Sequence, residues 1–307
     1  MYQEQRLVFY YAVSPVHMGA GSATGAIDNP IQREIHTNHP VLSGSGIKGA
    51  VRHHCDAAWG PGAIRDVNAI FGPGTEASDH AGAVSFTDAQ LVAFPVRSMK
   101  ECFAYATSPA TLARLKRMAG DVATWDVPLV NAGEFFGSRF SHLTLDNKLI
   151  LESFEFTQAE GDAEPVSSWL SQHALPADGH HGYFSAKLRT DLIVLNDTDF
   201  SHFVDHSTVV EPHVRINNES GTAESGGLFY TENLPPETLL AGRILCTVER
   251  SNAKAPGDAR QAKELVRILL NGDRGINDKL LQAGGDATTG RGLLVLHAPF
   301  ANREQGA

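Results

Sequence analysis

RLVFYYAVSPVHMGAGSATGAIDNPIQRE, residues 6–34, followed by HPVLSGSGIKGAVRHH, residues 39–54, decides how this chain is read. Residues 6–13 are a short run of β-branched and aromatic side chains, which predicts a first strand. Residues 14–34 replace any periodicity with Gly, Ser and Pro. That predicts a long loop directly after the strand, and long ordered loops in folded domains usually carry function. In residues 43–59, Ile47, Ala50, Val51, His54, Cys55 and Ala58 recur at three-and-four spacing, predicting a helix with one apolar stripe. Lys48 and Arg52 stack four apart on its flank. The Gly- and Ser-rich entry, with Ser45 and Gly46, offers backbone N–H groups to an anion, and Gly60-Pro61 ends the helix.

Working outward, residues 82–97 predict a bent strand in which Pro95 marks an edge. Ser108-Pro109 opens a helix with Ser as cap and Pro at the first position, and Leu112, Leu115 and Met118 form its buried side. Residues 143–156 alternate partially, as a strand does. Residues 157–182 are polar and read as a linker or insertion. NNESGT and ESGG within 205–247 are turn signals, predicting a projecting hairpin and a return strand. An amphipathic helix is expected over 258–271 and a short helix over 275–282. GGDATTGRG, residues 284–292, is a Gly-rich loop entering a last strand. Mixed strands and helices ending on a strand favour an α+β fold over a doubly wound sheet.

The chain has 307 residues, 42% of them hydrophobic and 20% charged, which is ordinary for a globular protein. Cys55, Cys102 and Cys246 are far apart and form no CxxC pair, so neither a zinc knuckle nor a disulfide framework is encoded, and a reducing cytoplasmic setting is expected. No uncharged apolar run is long enough to span a membrane. The net charge of −10 argues at first against a nucleic-acid binder.

Several motifs dissolve when their physics is examined. GAGSATG at 19–25 follows a strand but does not open a helix, as a dinucleotide loop must. GGDATTGRG lacks the Lys-Ser/Thr ending of a phosphate loop. A loop where backbone must come close to another surface explains its glycines equally well, with Arg291 placed to reach a phosphate. His53 and His54 point about 100° apart on a helix and cannot share one ion, and His180-His181 sits in a polar loop. Asp28 stands out, in a Gly- and Pro-bounded loop beyond His17. A carboxylate there can hold hydrated Mg²⁺ or assist proton transfer, and a nearby His can do acid–base work. A single loop Asp is still more often a turn former.

Taken together, HMGAGSATGAIDNPIQRE, HPVLSGSGIKGAVRHH, AGAVSFTDAQLVAFPVRS, FAYATSP, SGTAESGGLFY and TTGRGLL resemble the RAMP superfamily, and within it the repeated backbone subunit of type III-B (Cmr) CRISPR complexes. The likeness runs from Leu7 to about Leu296, least clearly over 157–182. It implies one RAMP domain over 1–307, with a modified ferredoxin-like (RRM-like) core, a palm, and a projecting thumb hairpin around 205–240. It implies head-to-tail copies along a guide crRNA, other Cmr subunits as partners, and cleavage of single-stranded complementary target RNA at regular intervals. By the same resemblance the catalytic Asp is Asp28, with His17 beside it; Asp28 would position either a divalent metal (Mg or Mn) as its ligand or the attacking 2′-hydroxyl directly, and no organic cofactor is expected. Lys48, Arg52, Ser45 and Gly46 would contact guide RNA, Gly290, Arg291 and Gly292 would form the Gly-rich loop near RNA, and Glu224 and Tyr230 would belong to the thumb. Alternatives are an inactive guide-binding filament subunit, a stand-alone guide-processing ribonuclease and a small-molecule metal hydrolase.

The charge objection weakens once its distribution is read. Residues 121–166 carry two basic against nine acidic side chains and 196–241 one against eight, whereas 90–120 carry five against one and 242–307 ten against seven. Acid is concentrated in two stretches, and the segments expected to face the guide are neutral or basic.

Overall fold

A computed structural model describes residues 2–74, 79–251 and 259–300. In chain order the elements are β1 (Glu4–Ala12), β2 (Val41–Leu42), α1 (Gly44–Trp59), α2 (Ile64–Phe71), β3 (Val84–Phe86), β4 (Ala89–Arg97), β5 (Phe103–Thr107), α3 (Pro109–Ala119), β6 (Glu134–Gly137), β7 (Lys148–Leu151), β8 (Phe154–Gln158), α4 (Glu164–His173), α5 (Gly182–Asp191), β9 (Leu192–Leu195), α6 (Asp197–His206), β10 (Val209–Ile216), β11 (Ala223–Asn233), β12 (Leu239–Cys246), α7 (Ala262–Leu270), β13 (Lys279–Gln282) and β14 (Leu293–His297). The expected helix over 258–271 has its first residue, Asp258, outside the described residues.

The first strand organises the molecule. Its unbroken apolar run is buried on both faces, which is why it does not alternate with polar residues. Val8, Tyr10 and Ala12 enter one core with Ile47, Val51 and Cys55 of α1 and the apolar sides of α2, α6 and α7. Leu7, Phe9 and Tyr11 enter a second core with Leu112 and Leu115 of α3, Trp169 and Leu170 of α4, and Leu188 of α5. Helices on both sides of a large mixed sheet make the fold α+β. The sheet runs β13-β14-β1-β12-β4-β5-β9-β6-β8-β7, with β2 on β4 and β3 on β12, while β10 and β11 stand apart as a two-stranded antiparallel hairpin. Among the described residues, all strand pairs are antiparallel except β5–β9 and β6–β8.

α1 begins where expected. Ser43 caps it, its hydroxyl accepting from the Gly46 N–H at 3.3 Å, and Gly44 is required because a Cβ there would lie 2.2 Å from the Phe86 carbonyl oxygen. Its stripe is narrower than the spacing implies. Ile47, Val51, Cys55 and Trp59 are buried, Ala50 and His54 are half-buried, and Ala58 is exposed. Ser108 caps α3 as read, accepting from the Thr111 N–H.

Three expectations are corrected. Residues 279–282 form β13 and not the end of a short helix, because Leu281 packs into the core as the partner of Leu294. β4 is interior, not an edge. Pro95 is tolerated because β12 pairs only as far as Ala93, leaving Pro95 facing β5 alone. The stretch 157–182 is not a bare linker, since it carries α4, whose Val166, Trp169 and Leu170 are core residues. Among the described residues, no helix is long and apolar enough to cross a membrane.

Candidate functional site

Residues 14–34 are ordered by pairing with themselves and with the hairpin. The Gln32 N–H donates to the Met18 carbonyl at 2.8 Å, and the Ala20 N–H to the Pro30 carbonyl at 2.9 Å, closing a small excursion. Its base is clamped to the segment after β11, where Val16 and Leu234 exchange both backbone hydrogen bonds at 2.9 Å. Its far arm lies along β11 itself. The Asn29 N–H donates to the Tyr230 carbonyl at 3.0 Å, and the Glu232 N–H to the Asn29 carbonyl at 3.0 Å.

This arrangement fixes both residues singled out in the loop. The Tyr230 N–H donates to Asp28 Oδ2 at 2.8 Å, and His17 Nδ1 donates to the Glu232 carbonyl at 2.7 Å. Tyr230 and Glu232 are two positions apart on one strand, so their backbone groups face the same way. Donation from Nδ1 assigns the neutral His17 ring its Nδ1–H tautomer and leaves Nε2 as the acceptor. Both side chains are half-buried.

The Gly-rich loop completes the surround of His17. The Gly285 N–H donates to the His17 carbonyl at 2.8 Å. Gly284, at φ +90°, comes so close that a Cβ would lie 2.4 Å from that same oxygen. A Cβ on Gly19 would lie 2.9 Å from Nε2 and one on Gly285 3.3 Å from Cδ2, so the imidazole sits between glycines. At the other end of this loop the Gly292 N–H donates to the Pro15 carbonyl at 2.8 Å, and a Cβ on Gly292 would meet the Ala283 carbonyl oxygen at 2.2 Å. Gly290 needs only its left-handed backbone, at φ +80°, with open space around it.

Arg291 does not stand free. Its Nη2 bonds both carboxylate oxygens of Glu211 on β10. The α1 entry is likewise partly filled. Asp88 Oδ1 accepts from the Gly44 N–H at 2.7 Å and Ser43 from Gly46, while Ser45 is exposed. Gly46 abuts Met18, next to His17 in the chain.

Lys48 and Arg52 lie further along α1. Burial, and then the like charges of Arg52 and Arg250, hold the Lys48 ammonium below the ordinary lysine range. Arg250, just past β12, extends this basic cluster and was not found from sequence. Arg52 pairs weakly with Asp56 at 3.7 Å and borders a cavity of about 380 Å³ with Asn68, Asp79 and His80. Glu224 faces Arg215 at 3.7 Å within the hairpin, away from Asp28. The Tyr230 ring is exposed on the same hairpin face as Val210, Val214 and Leu228, all solvent-facing.

Sequence reasoning also missed Arg33 and Glu232. Glu232 is buried, its Oε1 accepting from Arg33 Nη2 at 2.6 Å and Thr208 Oγ1 at 2.8 Å, and its Oε2 from the Ile31 N–H at 3.1 Å. The only advance signal was an acidic residue closing a strand-like run.

To a metal, this site offers the carboxylate of Asp28. Among the described residues no three His, Cys, Asp or Glu side chains gather around a common point. Asp28 has one oxygen anchored on Tyr230 and a second to offer. That fits a hydrated Mg²⁺, which takes one or two carboxylates and fills its shell with water and substrate phosphate. It does not fit a closed zinc site.

A family model described as the RAMP superfamily matches residues 9–295. The chain is 35% identical to the CRISPR system Cmr endoribonuclease Cmr4 of Pyrococcus furiosus, covering 94% of this chain and 93% of that protein. It is 25% identical to the CRISPR system CMR subunit Cmr4 of Saccharolobus solfataricus, with 94% of each covered. Its structure matches a crystal structure of oligomeric Cmr4 from Pyrococcus furiosus with a TM-score of 0.70, 28% identity and 95% and 96% coverage. A chain from a cryo-EM structure of the type III-B Cmr-beta complex bound to cognate target RNA shares the fold, with a TM-score of 0.71 at 19% identity and coverage of 96% and 97%.

Proposed function

The chain belongs to the RAMP superfamily, and on that premise we propose that it is a backbone subunit of an RNA-guided type III-B effector. Copies of it line up head to tail along a guide RNA, beside other Cmr subunits, and each cuts the complementary target RNA once. In this reading the palm is a ferredoxin-like core within the large sheet and the β10–β11 hairpin is the thumb. The observation that carries the nuclease reading is the convergence of loop 14–34, β11 and the Gly-rich loop on Asp28 and His17.

The mechanism follows from what these residues can do. Base pairing reads the sequence, so the protein needs only shape and backbone contacts. The apolar hairpin face with Val214, Leu228 and Tyr230 wedges a nucleotide out of the duplex, and the splayed backbone lets a 2′-hydroxyl line up with its own phosphate. His17 Nε2 takes the 2′-hydroxyl proton as the O2′–P bond forms and the P–O5′ bond breaks, the departing 5′-oxygen taking a proton from water to leave a 2′,3′-cyclic phosphate and a 5′-hydroxyl. Asp28, steadied on Tyr230, orients the attacking hydroxyl. A divalent cation held by its second oxygen would neutralise charge on the phosphate. Lys48, Arg52 and Arg250 bind guide phosphates, which positions without reading sequence.

The test is reconstitution with guide RNAs of increasing length and a labelled complementary target. Assemblies that grow with guide length and products at a fixed spacing are expected, with cleavage lost in EDTA. Assembly without cleavage would favour an inactive filament subunit. A monomer or dimer cutting a guide precursor would favour a processing enzyme.

A further inference from the structure

Every polar group of Glu232 is committed to the site. Its N–H holds Asn29, the neighbour of Asp28, and its carbonyl holds His17 Nδ1. Its carboxylate holds the Ile31 N–H, Thr208 and Arg33. Arg33 fans out in turn to the Asn38 carbonyl at 2.8 Å, Asp205 at 3.3 Å and the Val204 carbonyl at 3.4 Å. The side chains are 15% exposed for Arg33 and 4% for Glu232. One ion pair therefore ties together the loop arm carrying Asp28, the end of α6 and the strand that anchors both candidate catalytic groups.

A buried ion pair is a poor way to gain stability alone, since well-packed apolar residues do as well or better. What an apolar pair cannot do is direct several hydrogen bonds at fixed angles from a planar guanidinium. The geometry points to a different purpose. We propose that Arg33 and Glu232 are positioning residues of the cleavage reaction, locking the loop arm and β11 together so that Asp28 and His17 keep one mutual placement. The inference rests on the nuclease reading above for its kinetic consequence, and on the geometry alone for its structural one. A misplacement of about 1 Å far from the reacting bond can cost about 100-fold in rate.

Two readouts separate the claims. The first is ¹⁵N-histidine NMR of the full chain, with the His17 signal assigned by its loss in His17→Asn. Wild type should show the single Nδ1–H tautomer, and Arg33→Met and Glu232→Gln should shift it towards tautomer averaging. Arg33→Lys, which keeps the charge on Glu232 but lacks the fork, should lie between and serves if Arg33→Met does not fold. The second is steady-state cleavage by the reconstituted complex under multiple turnover. Here kcat should fall about 10- to 100-fold with KM unchanged, because base pairing sets substrate affinity. A His17 signal and kcat that both stay at wild-type values in folded Arg33→Met or Arg33→Lys would overturn the proposal. A wild-type complex that never cuts, while the tautomer signal responds as stated, would uphold the positioning role and overturn the nuclease reading.

Discussion

Arg291 closes on Glu211 across the gap between the Gly-rich loop and the hairpin, with Nη2 2.6 Å from one carboxylate oxygen and 2.5 Å from the other. A residue read from sequence as a phosphate contact is thus held in an ion pair that pins β10 to the body of the protein. Both side chains keep roughly a quarter of their surface. A pair that accessible contributes about 1 kcal/mol or less, so a phosphate can exchange for Glu211. Arg291→Gln should barely move the melting temperature. It should speed amide exchange along β10 and lower the salt slope of RNA binding by about one.

Lys48 gives a pH test. Burial, then Arg52 and Arg250, place its folded-state pKa below the ordinary lysine range. It therefore loses its proton earlier than an exposed lysine as pH rises. Guide affinity should fall between neutral pH and the ordinary lysine range. Lys48→Arg, which stays charged, should remove that alkaline limb in binding isotherms.

Glu249 gives the opposite limb. Burial pushes its carboxyl upwards, but hydrogen bonds from Arg260 and Ser251 outweigh it and bring the pKa down to about 2. A folded-state value below the unfolded one means stability that is present above the ordinary carboxylate range and lost as pH falls towards about 2. Glu249→Gln should flatten that acid limb in thermal unfolding. It should also cost about 3 kcal/mol at neutral pH, because the half-buried Arg260 guanidinium loses the charge of Glu249 and keeps Asp66 and the Arg65 carbonyl.

Two glycines of one loop should behave differently. Gly284→Ala combines a left-handed backbone with a Cβ 2.4 Å from the His17 carbonyl oxygen. It should destabilise by about 2 kcal/mol or more and displace His17. Gly290→Ala has open space and should cost only about 1 kcal/mol for its backbone. Denaturant midpoints of the two variants check this.

Much of the scaffold is legible in sequence because its signals are local. The apolar run of β1, the stripe of α1 and the Ser108-Pro109 cap each act within a few residues. β13 is not legible, since Lys279–Gln282 becomes a strand only through pairing with β14. Asp28 and His17 can be named from their loop and from the family resemblance. Arg33 and Glu232 cannot, because 199 positions separate a pair that only the fold brings together. For the same reason the sequence leaves Arg291 looking free.

The central claim is that Asp28, held on the hairpin by Tyr230, carries out target cleavage. It is tested most directly by Asp28→Ala in the complex reconstituted with guide RNA and a labelled target. The account predicts unchanged assembly and target binding, with the regularly spaced products abolished. Assembly with a full-rate product ladder would contradict it.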